Sequence, residues 1–320
     1  MTIHWNLSDT QPVFDRAQTA LQSKTKGIRN LLITIGIFCA VLLVGLVTQI
    51  IATMNIQILL SLISLGGNTA EESVMVRNNM LQMLYLCVFA ILLGILYCVG
   101  IERRTIRSMG FTKHHAVSDY LIGLVVGALM MGASVWIAYL GGGLEYRGIQ
   151  LNGQWGLLAL FFGGWLIQGL SEEVSFRGYL MMSLSVRHHR WLAVIISSLV
   201  FAAAHLGNDG ITFFSVCNLT LYGLFAALYF LRFDSIWGIG ALHSMWNCAQ
   251  GNLFGIKVSG MEIDTTVFSF QQTADKAWLH GGSFGLEGGA AVTIVLLLGC
   301  LILLLIPQRK PRTAVPLATD

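Results

Sequence analysis

Long apolar runs separated by short polar breaks dominate the chain from residue 31 onward. Eight of them approach the length of a membrane helix: Leu31–Met54, Met80–Gly100, Tyr120–Leu140, Trp155–Leu184, Trp191–Leu206, Ile211–Leu231, Ile236–Phe254 and Ala290–Ile306. A hydrocarbon core of about 30 Å takes roughly 20 residues of α-helix. The fifth, seventh and eighth runs are shorter or less pure than the rest. A ninth run, Ile56–Leu65, is too short to span and reads as interfacial or packed beside the bundle. Prolines occur only at positions 12, 307, 311 and 316, so none interrupts these runs. The pattern predicts an all-α, polytopic membrane protein, a bundle of about eight transmembrane helices. Residues 1–30 form a polar N-terminal segment, 31–150 the first three helices, 151–306 a membrane core and 307–320 a short tail. No internal repeat is visible.

Composition supports the pattern. Only 11% of the 320 residues are charged and 55% are hydrophobic, with a mean hydropathy of +0.70. An ordinary soluble domain carries about 25% charged residues, so this chain lacks the means to cover itself in water. That excludes a cytosolic enzyme, a nucleic-acid binder and a disordered scaffold. The six cysteines lie inside apolar runs without a CxxC pair. They read as small buried hydrophobes rather than disulfides or zinc ligands.

The net charge of +3 says little, but its distribution says more. With the N-terminus in the cytoplasm, 14 Lys and Arg fall in cytoplasmic segments: Arg16, Lys24, Lys26, Arg29, Arg103, Arg104, Arg107, Lys113, Arg187, Arg190, Arg232, Arg309, Lys310 and Arg312. Four, Arg77, Arg147, Lys257 and Lys276, fall on the other side. The positive-inside rule then places both termini in the cytoplasm. Arg177 belongs to neither side; it lies within a run.

Arg177 is one of five ionisable residues inside apolar runs, with Glu172, Glu173, His205 and His243. Intramembrane charge is costly and marks function by default. Glu173 and Arg177 are i, i+4 and can pair on one helix face, while Glu172 points about 100° away. Phe201–His205 and His243–Asn247 repeat the same spacing on two further runs. Measured from the nearest basic anchors (Arg187, Arg190 and Arg232), Glu172, His205, His243 and Asn247 all lie about 16–22 Å deep. One carboxylate, two imidazoles and an amide at a shared depth make a catalytic inventory. Gln168 and Asn218 read instead as interhelical hydrogen bonds. His188 and His189 read as headgroup-level loop residues, and His4, His114, His115 and His280 as surface residues.

The series Glu172-Glu173-x-x-x-Arg177, Phe201-x-x-x-His205, His243-x-x-x-Asn247 resembles the three-motif signature of the CPBP family. That family comprises CAAX prenyl endopeptidases and bacteriocin-processing proteins, also called Abi. The glycine-rich Gly281–Gly288 resembles bacterial members, and the resemblance spans Trp155–Ile306. It implies an eight-helix intramembrane endopeptidase in which Glu172 and His205 activate water and His243 and Asn247 bind the oxyanion. Glu173, Arg177 and Phe201 take supporting places. It also implies a bacterial cytoplasmic (inner) membrane, and a membrane-associated protein or peptide substrate that could itself be lipid-modified, with no nucleic-acid partner.

A metal remains an open alternative. The family is often described as metalloproteases, and Glu172, His205 and His243 could make a three-ligand zinc set. HExxH is absent, and Asn247 suits an oxyanion better than zinc. No cofactor is favoured, and zinc is the alternative. A proton-coupled transporter is a second reading, because buried Glu and His also relay protons. A non-catalytic membrane scaffold or immunity factor is a third.

Overall fold

The computed structural model describes residues 16–17, 28–64, 79–150, 154–263 and 265–307, with side chains of the first helix from residue 30 to 56. Among the described residues the protein is helical apart from one two-stranded sheet. Helix α1 is Ile28–Ser64, α2 Asn79–Ile101 and α3 Ala116–Leu140. Strand β1, Leu144–Ile149, precedes α4, Trp155–Arg187. Then follow α5 (Arg190–Ala204), α6 (Phe213–Phe233), α7 (Ile236–Cys248), β2 (Phe268–Gln272) and α8 (Ala290–Leu305).

Among the described residues five helices are long and apolar enough to cross a membrane: Asn30–Ile56 within α1, then α2, α3, α4 and α6. The count of eight expected from the apolar runs is not established by length and composition. Helix α5 stops at Ala204, α8 has 16 residues, and α7 has 13 before its winding changes. The outward faces are apolar, with Val117, Leu129 and Leu96 each more than 60% exposed, as expected of a surface whose solvent is hydrocarbon. The protein is an integral membrane protein.

Lipid tails are as apolar as leucine, so close packing rather than hydrophobic burial holds such helices together. Helix α7 is buried almost all round and packs mainly against α3 and α4. Gly123 and Gly127, one turn apart on α3, lie against the α7 backbone at Gly238 and Leu242, where a Cβ would clash. From α1, Phe38 packs edge-on against Phe176 and Tyr179 of α4, at 5.3 Å each. These contacts surround α7 with the helices whose polar residues face it.

Several expectations are corrected. Ile56–Leu65 is not a separate segment: α1 runs unbroken to Ser64, and only Leu65 lies outside the described residues. His205 is not within a helix but caps the end of α5. His280 is buried, with Nε2 donating to the Thr273 carbonyl at 2.8 Å and Nδ1 accepting from Gly282 N at 3.2 Å. Both ring nitrogens are consumed by the loop that the ring folds into. Cys39 and Cys217 are exposed, because an outward apolar face is where a lipid-facing thiol can sit. The antiparallel β1–β2 pair, with its bulge between Tyr146 and Gly148, joins segments more than a hundred residues apart. Arg104, counted above as a loop charge, is 1% exposed.

Candidate active site

Helix α4 changes winding just where its charges begin. It is α-helical to Glu173 and π-helical over Val174–Met181. Helix α7 does the same after its motif, becoming π-helical over Ala249–Leu253. Such i→i+5 segments recur at functional sites, where they rotate one part of a helix against the rest. The carbonyls of Gly178 and Tyr179 in the α4 segment face Arg104, whose guanidinium donates to them at 3.4–3.5 Å.

The two adjacent glutamates have separate surroundings. Glu173 is fully buried. Its Oε1 accepts from Arg177 Nη1 at 3.0 Å and faces His243 Nδ1 at 2.7 Å. Arg177 also donates to the Gly223 carbonyl of α6 at 3.3 Å and lies over the Phe201 ring, 4.7 Å from its centroid. One buried ion pair thus touches α5, α6 and α7.

Glu172 faces a cavity of about 390 Å³ together with His205 and His243. Its Oε2 lies 3.9 Å from His205 Nε2 and 3.7 Å from His243 Nε2. Each ring is held from behind. His205 Nδ1 donates to the Phe201 carbonyl at 2.8 Å, since a carbonyl can only accept. His243 Nδ1 meets the Glu173 carboxylate, also an acceptor. In its neutral form each ring would therefore turn an Nε2 lone pair toward Glu172. Glu172 Oε2 is buried and has no hydrogen-bond partner among the described residues.

Its other oxygen is engaged. Gln168 Nε2 donates to Glu172 Oε1 at 2.5 Å, and Asn247 Nδ2 donates to Gln168 Oε1 at 2.9 Å. The carboxylate sets the direction of this chain, because it accepts only, and so it orients both amides. The spare N–H of Asn247 Nδ2 remains for another acceptor. Sequence reasoning gave Gln168 an interhelical role alone. It missed that, four residues before Glu172, Gln168 shares its face.

Tyr222 was also missed. It lines the cavity with its ring 4.9 Å from His243, and its hydroxyl is buried without a partner among the described residues. Glu287 was missed as well, as part of a loop known only for its glycines. The structure brings Glu172, His205, His243 and Asn247 to one cavity. It puts Phe201 beside His205 at 4.8 Å between centroids, and seats Glu173 and Arg177 behind His243.

The donor types, two imidazole nitrogens and a carboxylate, are those of a catalytic zinc site. Their spacing is not. Ligands about 2.0–2.1 Å from a tetrahedral zinc stand about 3.3 Å apart, whereas the carboxylate oxygen stands 3.7 and 3.9 Å from the two nitrogens. Among the described residues no group of three His, Cys, Asp or Glu is arranged to hold a metal. The same gap suits one water donating a hydrogen bond of ordinary length to each side.

Compared with known protein families, residues 154–249 match the model described as Type II CAAX prenyl endopeptidase Rce1-like. The matched segment contains all three motifs, from Glu172 to Asn247. No curated protein and no solved structure matched the chain.

Proposed function

We propose that the chain is a CAAX-type intramembrane endopeptidase, a reading supported by the family match over residues 154–249, in which Glu172 and His205 activate a water while His243 and Asn247 receive the oxyanion. The family supports proteolysis of membrane-associated peptides or proteins. The residue roles are our reading of the cavity. One observation carries them: the buried Oε2 of Glu172 has no partner among the described residues and faces two imidazole Nε2 atoms whose Nδ1 atoms are already engaged.

A water between Glu172 Oε2 and His205 Nε2 has an acceptor for each of its protons. Its oxygen lone pair is then free to attack a peptide carbonyl. Glu172 takes one proton as the new C–O bond forms and returns it to the departing amide nitrogen. The second N–H of Asn247 donates to the tetrahedral oxygen. His243 joins it when its ring carries a proton on both nitrogens, with Glu173 as the adjacent counter-charge. No step requires a metal; a zinc-dependent form of the same hydrolysis is the alternative. The basic residues support a cytoplasmic membrane with both termini inside. On that orientation the loops bearing Asn208, Ser259 and Glu287 lie on the outer side. A prenylated peptide is the substrate we favour, from the family's description.

Purified protein in detergent, given a quenched fluorogenic peptide with and without a farnesylated cysteine, tests this. Glu172→Gln should lower kcat by about 10²–10⁴, the range for a lost general base, with the protein still folded. Activity should survive a chelator. Wild-type turnover by Glu172→Gln would remove the base assignment, and loss on chelation restored by zinc would install the metal instead.

A further inference from the structure

Glu287 belongs to none of the three motifs, yet it lines the same cavity as Glu172 and the two histidines. Its Oε2 accepts from both the backbone N and the Oγ of Ser259, at 2.9 and 2.6 Å. Its Oε1 accepts from Trp246 Nε1 at 3.3 Å, and its carbonyl accepts from Asn218 Nδ2 at 2.8 Å. Ser259, Trp246 and Asn218 all line the cavity and are at least nine-tenths buried. They come from three different segments: the loop after α7, α7 itself and α6. One residue therefore fastens a three-part wall.

The Ser259 end of that wall is under strain. Val258 and Met261 exchange two backbone hydrogen bonds of 2.9 Å, closing a turn with Ser259 and Gly260 at φ +48° and +90°. Both central residues of such a turn need positive φ, which serine adopts at a cost. The contacts hold it there: Asn208 Nδ2 donates to the Ser259 carbonyl at 3.1 Å and Gly260 N to the Phe284 carbonyl at 2.8 Å. The glycines explain how Glu287 reaches the turn. Gly285 has φ +95° and ψ −174°, a conformation confined to glycine, and a Cβ there would run into the Lys257 carbonyl.

We propose that Glu287 is a substrate-positioning residue, whose carboxylate fixes the Ser259–Trp246 wall against which the peptide lies. The inference rests on the proteolytic reading for what the wall holds, not for the wall itself. Glu287 makes no hydrogen bond to Glu172, His205 or His243 among the described residues, so its loss should reach the reaction through binding rather than through chemistry. It acts through Trp246, which stands between His243 and Asn247 on α7.

The test compares kinetics and binding with the farnesylated fluorogenic peptide. Glu287→Gln keeps the side chain's shape but presents an amide N–H where an acceptor is needed. KM should rise about tenfold with kcat per folded molecule within about twofold, the scale of losing charge-assisted hydrogen bonds. In a Glu172→Ala background, where nothing is cleaved, Kd should rise by the same factor. Glu287→Asp, which keeps the charge, should restore part of the affinity. Trp246→Phe removes the indole donor, and combined with Glu287→Gln it should add less than its effect alone. Thermal unfolding identifies the folded fraction, and Glu287→Asp serves if Glu287→Gln does not fold. Unchanged KM and Kd in folded Glu287→Gln would overturn the proposal, as would a fall in kcat at constant KM. If wild type binds the peptide without cleaving it, the proteolytic reading falls while the Kd comparison still decides this one. If wild type does not bind the peptide, both fall.

Discussion

Two clusters of buried charge are built against α4, and they are finished differently. At one end Glu102 accepts from Arg104 Nε at 2.7 Å, from Ser183 Oγ at 2.7 Å and from Arg187 Nη1 at 3.1 Å. Arg104 spends its remaining N–H groups on Cys98 Sγ, Ser183 Oγ and the π-segment carbonyls. Both Glu102 oxygens are used. In the other cluster Glu173, Arg177 and His243 share an equally buried ion pair, but Glu172 Oε2, Glu173 Oε2, Tyr222 Oη and Asn247 Oδ1 have no partner among the described residues. A buried polar atom left unpaired costs about 1–3 kcal/mol. The first cluster saturates its atoms and reads as scaffold. The second carries that cost, and at Glu172, Tyr222 and Asn247 it does so on the cavity wall, where a substrate could relieve it.

The largest expected effect separates the two clusters. Removing one member of a buried pair costs about 3–5 kcal/mol. Arg104→Ala and Arg177→Ala should therefore both lower thermal stability in detergent. Only Arg177→Ala should also lower activity per folded molecule, because its partner Glu173 orients His243. Equal specific activity of the two folded variants would erase the distinction.

A smaller effect sharpens the reactive side. On the proposed oxyanion role, Asn247→Ala should lower kcat by about 10²–10³ with little change in KM and little loss of stability. Normal kcat from fewer folded molecules would make Asn247 structural.

The smallest effect concerns His188, beside Arg187 at the scaffold end. Partial burial, with the Arg187 charge second, lowers its pKa below the ordinary 6.5. The unfolded chain then binds a proton more readily than the folded one, so the His188 contribution is lost as pH falls below about 6.5. His188→Gln should flatten the acid side of the melting-temperature profile slightly. A steeper profile would show the sign is wrong.

Five of the spans and the three motif pairs were legible because both write themselves into sequence as periodicity. Apolar runs show membrane helices, and i, i+4 spacing shows Glu173 beside Arg177. What was hidden depends on partners distant in the chain. Gln168 looks like any lone amide until Asn247, 79 positions later, is brought to it. Glu287 shows its use only beside Ser259 and Trp246. Arg104 counts as a loop charge unless α4 is known to lie over it. The π-segments leave no trace in composition, since they change hydrogen-bond offset and not residue type. Helix α5 stops before His205, as the following Gly207, Asn208 and Gly210 suggest, but the apolar run carries the eye past it.

The winding of α4 has a further consequence. A π-segment amounts to one residue more than an α-helix of the same path needs, and each residue turns a helix by about 100°. Val174–Met181 therefore acts as a phase adjuster between two parts of a single rod, one carrying Glu172 and Glu173 and the other bonded to Arg104 through Ser183. The two docking faces are set independently. A one-residue deletion inside this segment would leave a regular helix of nearly the same composition and hydropathy. It would also swing the glutamates about a quarter-turn away from both histidines. Length variation, which surface loops absorb without effect, is here equivalent to rotating the reactive groups out of register.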